Sequence, residues 1–267
     1  MRRKLFCLAT LVTAMLIIGG SVSAEVRRIV YPRVEVEVTP AYTPDAAFDR
    51  FRKEFSSAVA KKDAAALFAL VAPGFVWTQD NNLAAGFDPG RDPQHNFRVV
   101  FGFRAFGRDV DGEVENGPFW DALAIFANDA TYYQLTEAGN VVCSPIAASI
   151  VDEQIFERAR SRLETPDEAA DWVFIVGSAA VTRTPDDKGT PIATLGQEAV
   201  AVLNTHPPSD TGEPTAAPTH FEVLLPTGRT GWIAANAARP LQTDRLCYAL
   251  TAKAEWKIAI YDAIETE

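Results

Sequence analysis

The spacing of apolar residues changes near residue 170, and this change constrains the fold more than any other feature of the chain. Before that point, phenylalanines and other apolar residues recur at helical spacing, as in residues 48–59, which predicts helices that bury one face. After it, short apolar runs alternate with turn residues, a pattern typical of a small β-barrel or sandwich. The sequence therefore predicts an α+β domain over residues 44–170 and a small all-β domain over residues 171–241.

The first 24 residues have the composition of a secretory signal peptide. Three basic residues precede an apolar run over residues 5–18, and small residues follow, so we expect cleavage between Ala24 and Glu25. The apolar run is shorter than the roughly 20 residues that a membrane-spanning helix needs. The mature protein is therefore expected to be periplasmic or secreted, with no membrane attachment after cleavage.

The charge balance argues against a polyanionic partner. The chain carries 25 Lys and Arg against 35 Asp and Glu, which gives a net charge of −10. Cleavage after Ala24 would remove three positive charges and no negative ones, so the net charge would become −13. With no basic stretch beyond the first residues, nucleic acid is not an expected partner.

Three further segments complete the predicted organisation. Residues 25–43 alternate in part as a strand, and Pro32 and Pro40 favour an edge strand or an extended leader over a central strand. A Pro-rich surface loop is predicted over residues 204–219. Residues 242–267 are predicted to form a C-terminal β-hairpin, and its return to the first domain stays open.

Local signals predict where individual elements begin and end. Thr43 is the expected N-cap of the first helix and Asp63 that of the second, which is expected to end at Pro73–Gly74. Residues 80–96 are polar and rich in turn residues, so a loop is expected there. The apolar stretch over residues 97–103 alternates as a strand does, yet a short buried helix fits it equally.

Two cysteines would remain after signal cleavage. Cys143 and Cys247 form an even pair in an oxidising compartment, which favours a disulfide between the two halves of the chain. Both also lie in apolar, strand-like runs, so two small buried thiols are the alternative.

Three short segments of the second part resemble the successive signatures of bacterial SH3 domains. They are residues 181–185, 192–196 and 226–233, and the resemblance covers residues 172–241. It implies a small SH3-like barrel in a secreted bacterial protein that docks on a peptide. The sequence departs from the family pattern at His220, because the family usually has a tryptophan shortly before the Gly-Arg-Thr-Gly turn.

The first part is similar to NTF2-like (SnoaL-type) domains. Residues 63–67 and 73–77 resemble the family's opening helix and strand, and residues 256–259 resemble its closing strand. The resemblance implies an α+β fold around a conical pocket. In such a pocket, acid and base chemistry would fall to residues such as Asp80 or His95, with Trp77 in the wall.

The predicted binding residues of the SH3-like part are Arg229, Trp232 and His220. Gly228 suits a tight turn, and Gly231 lets the backbone bend or approach a neighbour. Arg229, at the hairpin tip, would meet carboxylates of a peptide, and Trp232 would supply a rigid aromatic anchor. The alternative for Trp232 is a core position in the barrel.

No catalytic residue, metal or cofactor is predicted. The chain has only three histidines, which are scattered, and no nucleophile motif surrounds either remaining cysteine. Asp92 and His95 have metal-ligating side chains three residues apart, but an ordinary surface loop explains them as well.

Several oxygen-bearing side chains between residues 80 and 92 are of the kind that calcium prefers. Their spacing does not match an EF-hand loop, so turn chemistry is the first explanation. The set comprises Asp80, Asn81, Asn82, Asp88 and Asp92.

Two functions of different classes follow from these observations. The favoured one is a non-enzymatic envelope protein whose SH3-like module binds a peptide or a peptidoglycan stem. The alternative is an NTF2-like enzyme or small-molecule binder that carries the SH3-like module as a targeting appendage. An open polar cavity around His95 or Asp80 would favour the alternative, and a filled core would favour the first.

Overall fold

The computed structural model describes residues 29–264, except 80–81, 85, 107–116, 136–139, 164–170, 187 and 207–217. Within these residues, fifteen strands form sheets of seven, six and two strands, and five α-helices accompany them. The helices are α1 (Ala46–Lys61), α2 (Ala64–Ala69), α3 (Pro93–Phe106), α4 (Gly117–Asn128) and α5 (Glu153–Leu163). The strands are β1 (Val34–Val38), β2 (Val71–Gln79), β3 (Asn82–Leu83), β4 (Tyr133–Gln134), β5 (Val141–Ser144), β6 (Ala148–Ile150), β7 (Trp172–Ile175), β8 (Ala179–Val181), β9 (Ala193–Leu195), β10 (Glu198–His206), β11 (His220–Leu224), β12 (Thr230–Ala234), β13 (Ala238–Pro240), β14 (Arg245–Leu250) and β15 (Trp256–Ala263).

The expected fold class, an NTF2-like α+β domain followed by a separate SH3-like barrel, is wrong. The chain is mostly β, and strands from both sides of residue 170 share one large sheet. In that sheet the strand order is β12-β11-β10-β1-β6, with β7 beside β10 and β13 beside β7. Strand β1 comes from the leader and β6 from the first part, so the sheet does not divide at the predicted boundary.

Strand β1 is a central strand and not the edge strand or extended leader that was expected. Val34 and Glu35 pair with β10, and Val36 to Val38 pair with β6. Pro32 and Pro40 lie just outside the strand, so neither removes a donor from its ladder. The two prolines bound β1 without marking an edge.

The helix signals were partly correct. Asp63 caps α2 as predicted, whereas α1 is capped by Asp45, whose carboxylate accepts from the amide of Phe48 at 2.7 Å, and not by Thr43. The stretch over residues 97–103 belongs to a helix, α3. Among the described residues, no helix has both the length and the apolar character needed to cross a bilayer.

The predicted stop at Pro73–Gly74 is wrong, because both residues lie inside β2. The pairing of β2 with β15 shifts register after Val71 and resumes at Val76. The proline therefore sits in an irregular stretch where the ladder needs no amide donor from it.

The six-stranded sheet has the order β3-β2-β15-β14-β5-β4. The C-terminal hairpin β14–β15 occupies its centre, with β15 parallel to β2 and β14 antiparallel to β5. Helices α1 to α4 cover one face of this sheet through a core rich in aromatic rings. Its largest fully buried members include Phe48, Phe55, Phe97, Phe101 and Phe119. The described side chains between the helices and the sheet therefore form one apolar cluster.

A second core joins the opposite face of this sheet to the seven-stranded sheet. It contains Val34 and Val36 of β1, Trp172 of β7, and the two cysteines of β5 and β14. Cys143 and Cys247 lie directly opposite each other in the ladder, with their sulfur atoms 2.05 Å apart. The predicted disulfide is confirmed, and it lies in the layer between the two sheets.

Arg52 of α1 is buried and links the helices to the sheet. Its guanidinium donates to the hydroxyls of Tyr132 at 3.0 Å and Tyr248 at 2.5 Å. It also donates to the carbonyls of Phe126, Ala127 and Asp129, at the C-terminal end of α4. Because a helix leaves its last carbonyls without internal partners, this side chain acts as a cap for α4.

Asp129 carries the connection on to the second sheet. Its carboxylate accepts from the amide and hydroxyl of Thr131 and pairs with Arg239 of β13 at 3.1 Å. Both charged side chains are mostly buried, at 15% and 18% exposure. Since screening by water is reduced there, the pair ties the end of α4 to the seven-stranded sheet.

We expect Arg52→Ala to lower the free energy of unfolding by at least about 3 kcal/mol, because it leaves several buried oxygens without a donor. The matched control is Arg50→Ala, on the exposed side of the same helix, which should change stability by less than about 0.5 kcal/mol. Guanidinium unfolding of both variants measures the difference. Equal stability of the two variants would show that Arg52 does not hold these elements together.

We also expect the disulfide to stabilise the protein by about 4–5 kcal/mol, the chain-entropy value for a closed loop of this length. The two cysteines are 104 positions apart. Reductant should lower the unfolding midpoint of the wild type and leave that of a Cys143→Ala, Cys247→Ala double variant unchanged. Alkylation of both thiols in the unreduced, unfolded protein would contradict the bond.

Candidate functional site

The predicted binding residues lie on the hairpin of β11 and β12, at one end of the strand order of the seven-stranded sheet. In the ladder, Asn204 of β10 lies opposite Glu222 of β11, and Glu222 lies opposite Trp232 of β12. Because side chains alternate between the faces of a sheet, these three share one face. The amide of Asn204 donates to the Glu222 carboxylate at 2.6 Å, which holds the carboxylate in place.

Trp232 lies outside the core. It is half-buried, whereas its neighbours Gly231 and Ile233 are buried in the interior of the β-rich part. Its ring meets the imidazole of His206 edge to face, with centroids 6.1 Å apart. The structure therefore places Trp232 as a partly exposed aromatic residue and not at a core position of the sheet.

His220 joins this face, whereas Arg229 does not converge with it. His220 pairs with His206 and Ala234 at the open end of the hairpin, and its Nδ1 lies 3.1 Å from the Thr219 hydroxyl. Arg229 is exposed in the turn at the opposite end, beside Gly228 with φ 74°. The length of β11, about 13 Å at the usual rise per residue, separates the two ends.

Sequence reasoning missed Glu222, His206 and Asn204 as neighbours of Trp232. Asn204 and His206 fall within the predicted Pro-rich loop, but β10 continues to His206. Residues 207–217 of the predicted loop lie outside the described residues. The alternation of apolar and polar residues over residues 220–224 was a usable signal, since it places His220 and Glu222 on the same face. We call the surface formed by Asn204, His206, His220, Glu222 and Trp232 the Trp232 face.

Two of the three residues proposed for an NTF2-like active site, Trp77 and His95, lie in the part of the chain that the structure describes. Asp80 lies outside the described residues. Trp77 is 5% exposed in the aromatic core, and a Cβ placed on Gly86 would come within 2.7 Å of its ring. His95 lies half-buried near the start of α3.

Two of the five candidate calcium ligands, Asp88 and Asp92, serve as turn and cap residues, and Asn82 lies in β3. The Asp88 carboxylate accepts from the Gly90 amide at 2.8 Å and faces Arg91 at 3.5 Å. The Asp92 carboxylate accepts from the amide of Gln94 at the start of α3. Asn81 lies outside the described residues. In the part of the chain that the structure describes, no group of three or more His, Cys, Asp or Glu is placed to hold a metal ion.

Comparison with models of known protein families, with curated proteins and with solved structures found no match to this chain. The resemblances to bacterial SH3 domains and NTF2-like domains therefore gain no support from known proteins.

Gly231, next to Trp232, is expected to tolerate no side chain. A Cβ there would lie 2.4 Å from Val181 Cγ1 and 2.9 Å from the Thr182 carbonyl oxygen. We expect Gly231→Ala to destabilise the protein by about 1–3 kcal/mol through overpacking. Gly74→Ala is the matched control, because no heavy atom lies within 4 Å of its Cβ position. Equal thermal midpoints for the two variants would contradict the close approach.

Proposed function

We propose that the protein is an exported, non-enzymatic component of a bacterial envelope that binds a peptide or a peptidoglycan stem through the Trp232 face. The observation that carries the proposal is the grouping of a partly exposed tryptophan with a carboxylate and two imidazoles on one face. The predicted signal peptide over residues 1–24 and the disulfide between Cys143 and Cys247 are consistent with a location outside the cytoplasm.

The chemistry of the Trp232 face suits a short peptide. An aromatic ring desolvates a large area at a small entropic cost, which makes tryptophan a frequent anchor in binding surfaces. Glu222, oriented by Asn204, would accept a hydrogen bond from an amine of the peptide. Arg229 at the far end of the hairpin would meet a carboxylate only on a ligand long enough to span β11.

Two further features support binding over catalysis. The described side chains between the helices and the six-stranded sheet form one cluster rich in aromatic rings, with Trp77 among them. Cys143 and Cys247 are bonded to each other, so neither offers a thiolate nucleophile. These observations weigh against the alternative of an NTF2-like enzyme with its site around His95 and Trp77.

The test is a pull-down of the full mature protein with purified peptidoglycan. We expect Trp232→Ala to weaken binding about 5- to 30-fold, the usual effect of removing an aromatic anchor, and His220→Ala to weaken it less. Trp232→Phe should retain most of the binding, because it keeps an aromatic ring on the face.

Arg229→Ala tests whether the ligand reaches the hairpin tip, and Arg158→Ala is its matched control, since Arg158 is exposed on α5. Binding by Trp232→Ala at the wild-type level would refute the Trp232 face as the docking surface. Loss of binding by Arg158→Ala and not by Arg229→Ala would place the contact on α5.

A further inference from the structure

A second cleft lies where the chain runs from β1 to α1, at the junction of the two large sheets. Glu37 of β1 and Ser149 of β6 line one side, Tyr133 of β4 lines the other, and Thr39 and Tyr42 line the connecting segment. We call it the leader cleft. Its volume is about 600 Å³, within the range of small-molecule sites.

The walls of the leader cleft are held by the backbone. The amide of Thr39 donates to the carbonyl of Ala147 at 2.9 Å, beside β6, and the amide of Tyr42 donates to the carbonyl of Tyr132 at 2.7 Å, beside β4. The connecting segment is therefore hydrogen-bonded to both sides. A cleft whose walls are already ordered pays little conformational entropy when a ligand enters.

The aromatic side chain of the cleft is also held in place. The ring of Tyr42 packs edge to face against Phe48, with centroids 5.5 Å apart, and against Trp256 at 6.4 Å. Both partners belong to the buried aromatic core. Tyr42 therefore brings a rigid, half-buried ring to the lining, and such rings bind apolar C–H surfaces of ligands.

The polar lining consists of a carboxylate, hydroxyls and an amide, without a cation. Glu37 and Ser149 are exposed, Thr39 and Thr43 add two hydroxyls, and Gln134 adds an amide. None of the described residues that line the cleft is a lysine or an arginine. An anionic ligand would meet Glu37 without a lysine or an arginine among the described lining residues to balance the charge. A ligand rich in hydroxyl groups would satisfy both the carboxylate and the hydroxyls.

We infer that the leader cleft binds a short, uncharged carbohydrate, with its hydroxyl groups on Glu37, Thr39 and Ser149 and an apolar face of a sugar ring on Tyr42. This inference goes beyond the proposed peptide function, because the cleft shares no residue with the Trp232 face. It holds or fails independently of that function.

The test is isothermal titration calorimetry of the full mature protein with chitotriose and with maltotriose, which differ in their acetamido groups. We expect saturable binding of at least one of them to a single site. Glu37→Gln should weaken that binding about 10-fold, because it removes a charged hydrogen-bond acceptor. Ser149→Phe should abolish it by filling the cleft.

Glu35→Gln is the matched control, because Glu35 is exposed on the same strand and does not line the cleft, and it should bind as the wild type does. Trp232→Ala should also bind the sugar normally, which separates this test from the peptidoglycan test. Absence of saturable binding for both sugars at millimolar concentration would overturn the inference. So would wild-type affinity in Glu37→Gln and Ser149→Phe, or tighter binding of trilysine than of either sugar.

Discussion

The rest of the structure depends on the buried guanidinium of Arg52. A charge in a core costs several kcal/mol unless its donors are satisfied, and here two tyrosine hydroxyls and three helix-end carbonyls satisfy them. All of these partners are uncharged oxygens. Burial raises the pKa of the Tyr248 hydroxyl, so this partner stays neutral. The negative end of the α4 dipole therefore balances the positive charge of the guanidinium. These contacts form only if α1, α4 and β14 meet around Arg52.

Asp129 links Arg52 to the seven-stranded sheet. Its carbonyl accepts from Arg52 while its carboxylate pairs with Arg239 of β13, so one residue orients both arginines. The disulfide between Cys143 and Cys247 lies in the same intervening layer. The disulfide links the neighbouring strands β5 and β14 of the six-stranded sheet. The two sheets are joined by the apolar core between them, and a mostly buried ion pair ties the end of α4 to the seven-stranded sheet. This explains why the chain does not separate into two consecutive domains.

The sequence predicted what depends on neighbours along the chain and failed where distant segments decide. Asp63 caps α2 because capping involves residues three apart, and the alternation over residues 34–38 indicated an extended segment, which forms β1. The alternation does not show how many strands pair with β1, since its partners β6 and β10 lie far from it in the sequence. At the Trp232 face, the close approach of the backbone at Gly231 was predictable. The contact of the His206 ring with Trp232 was not, because β10 continues beyond the apolar residues that indicated a strand.

The central position of β1 limits where an export signal can end. Tyr31, just before the strand, is 3% exposed, and its hydroxyl donates to the carbonyl of Leu224 at 2.5 Å. Its ring packs edge to face on Trp172, with centroids 5.5 Å apart. Cleavage after Ala24, as proposed, leaves this contact and β1 intact. A cleavage beyond Tyr31 would remove a buried side chain. A cleavage beyond β1 would leave β6 and β10 without their shared partner strand, and it would also remove Glu37 from the leader cleft. If an export signal is removed, a cut before Tyr31 therefore leaves this contact, β1 and the leader cleft intact.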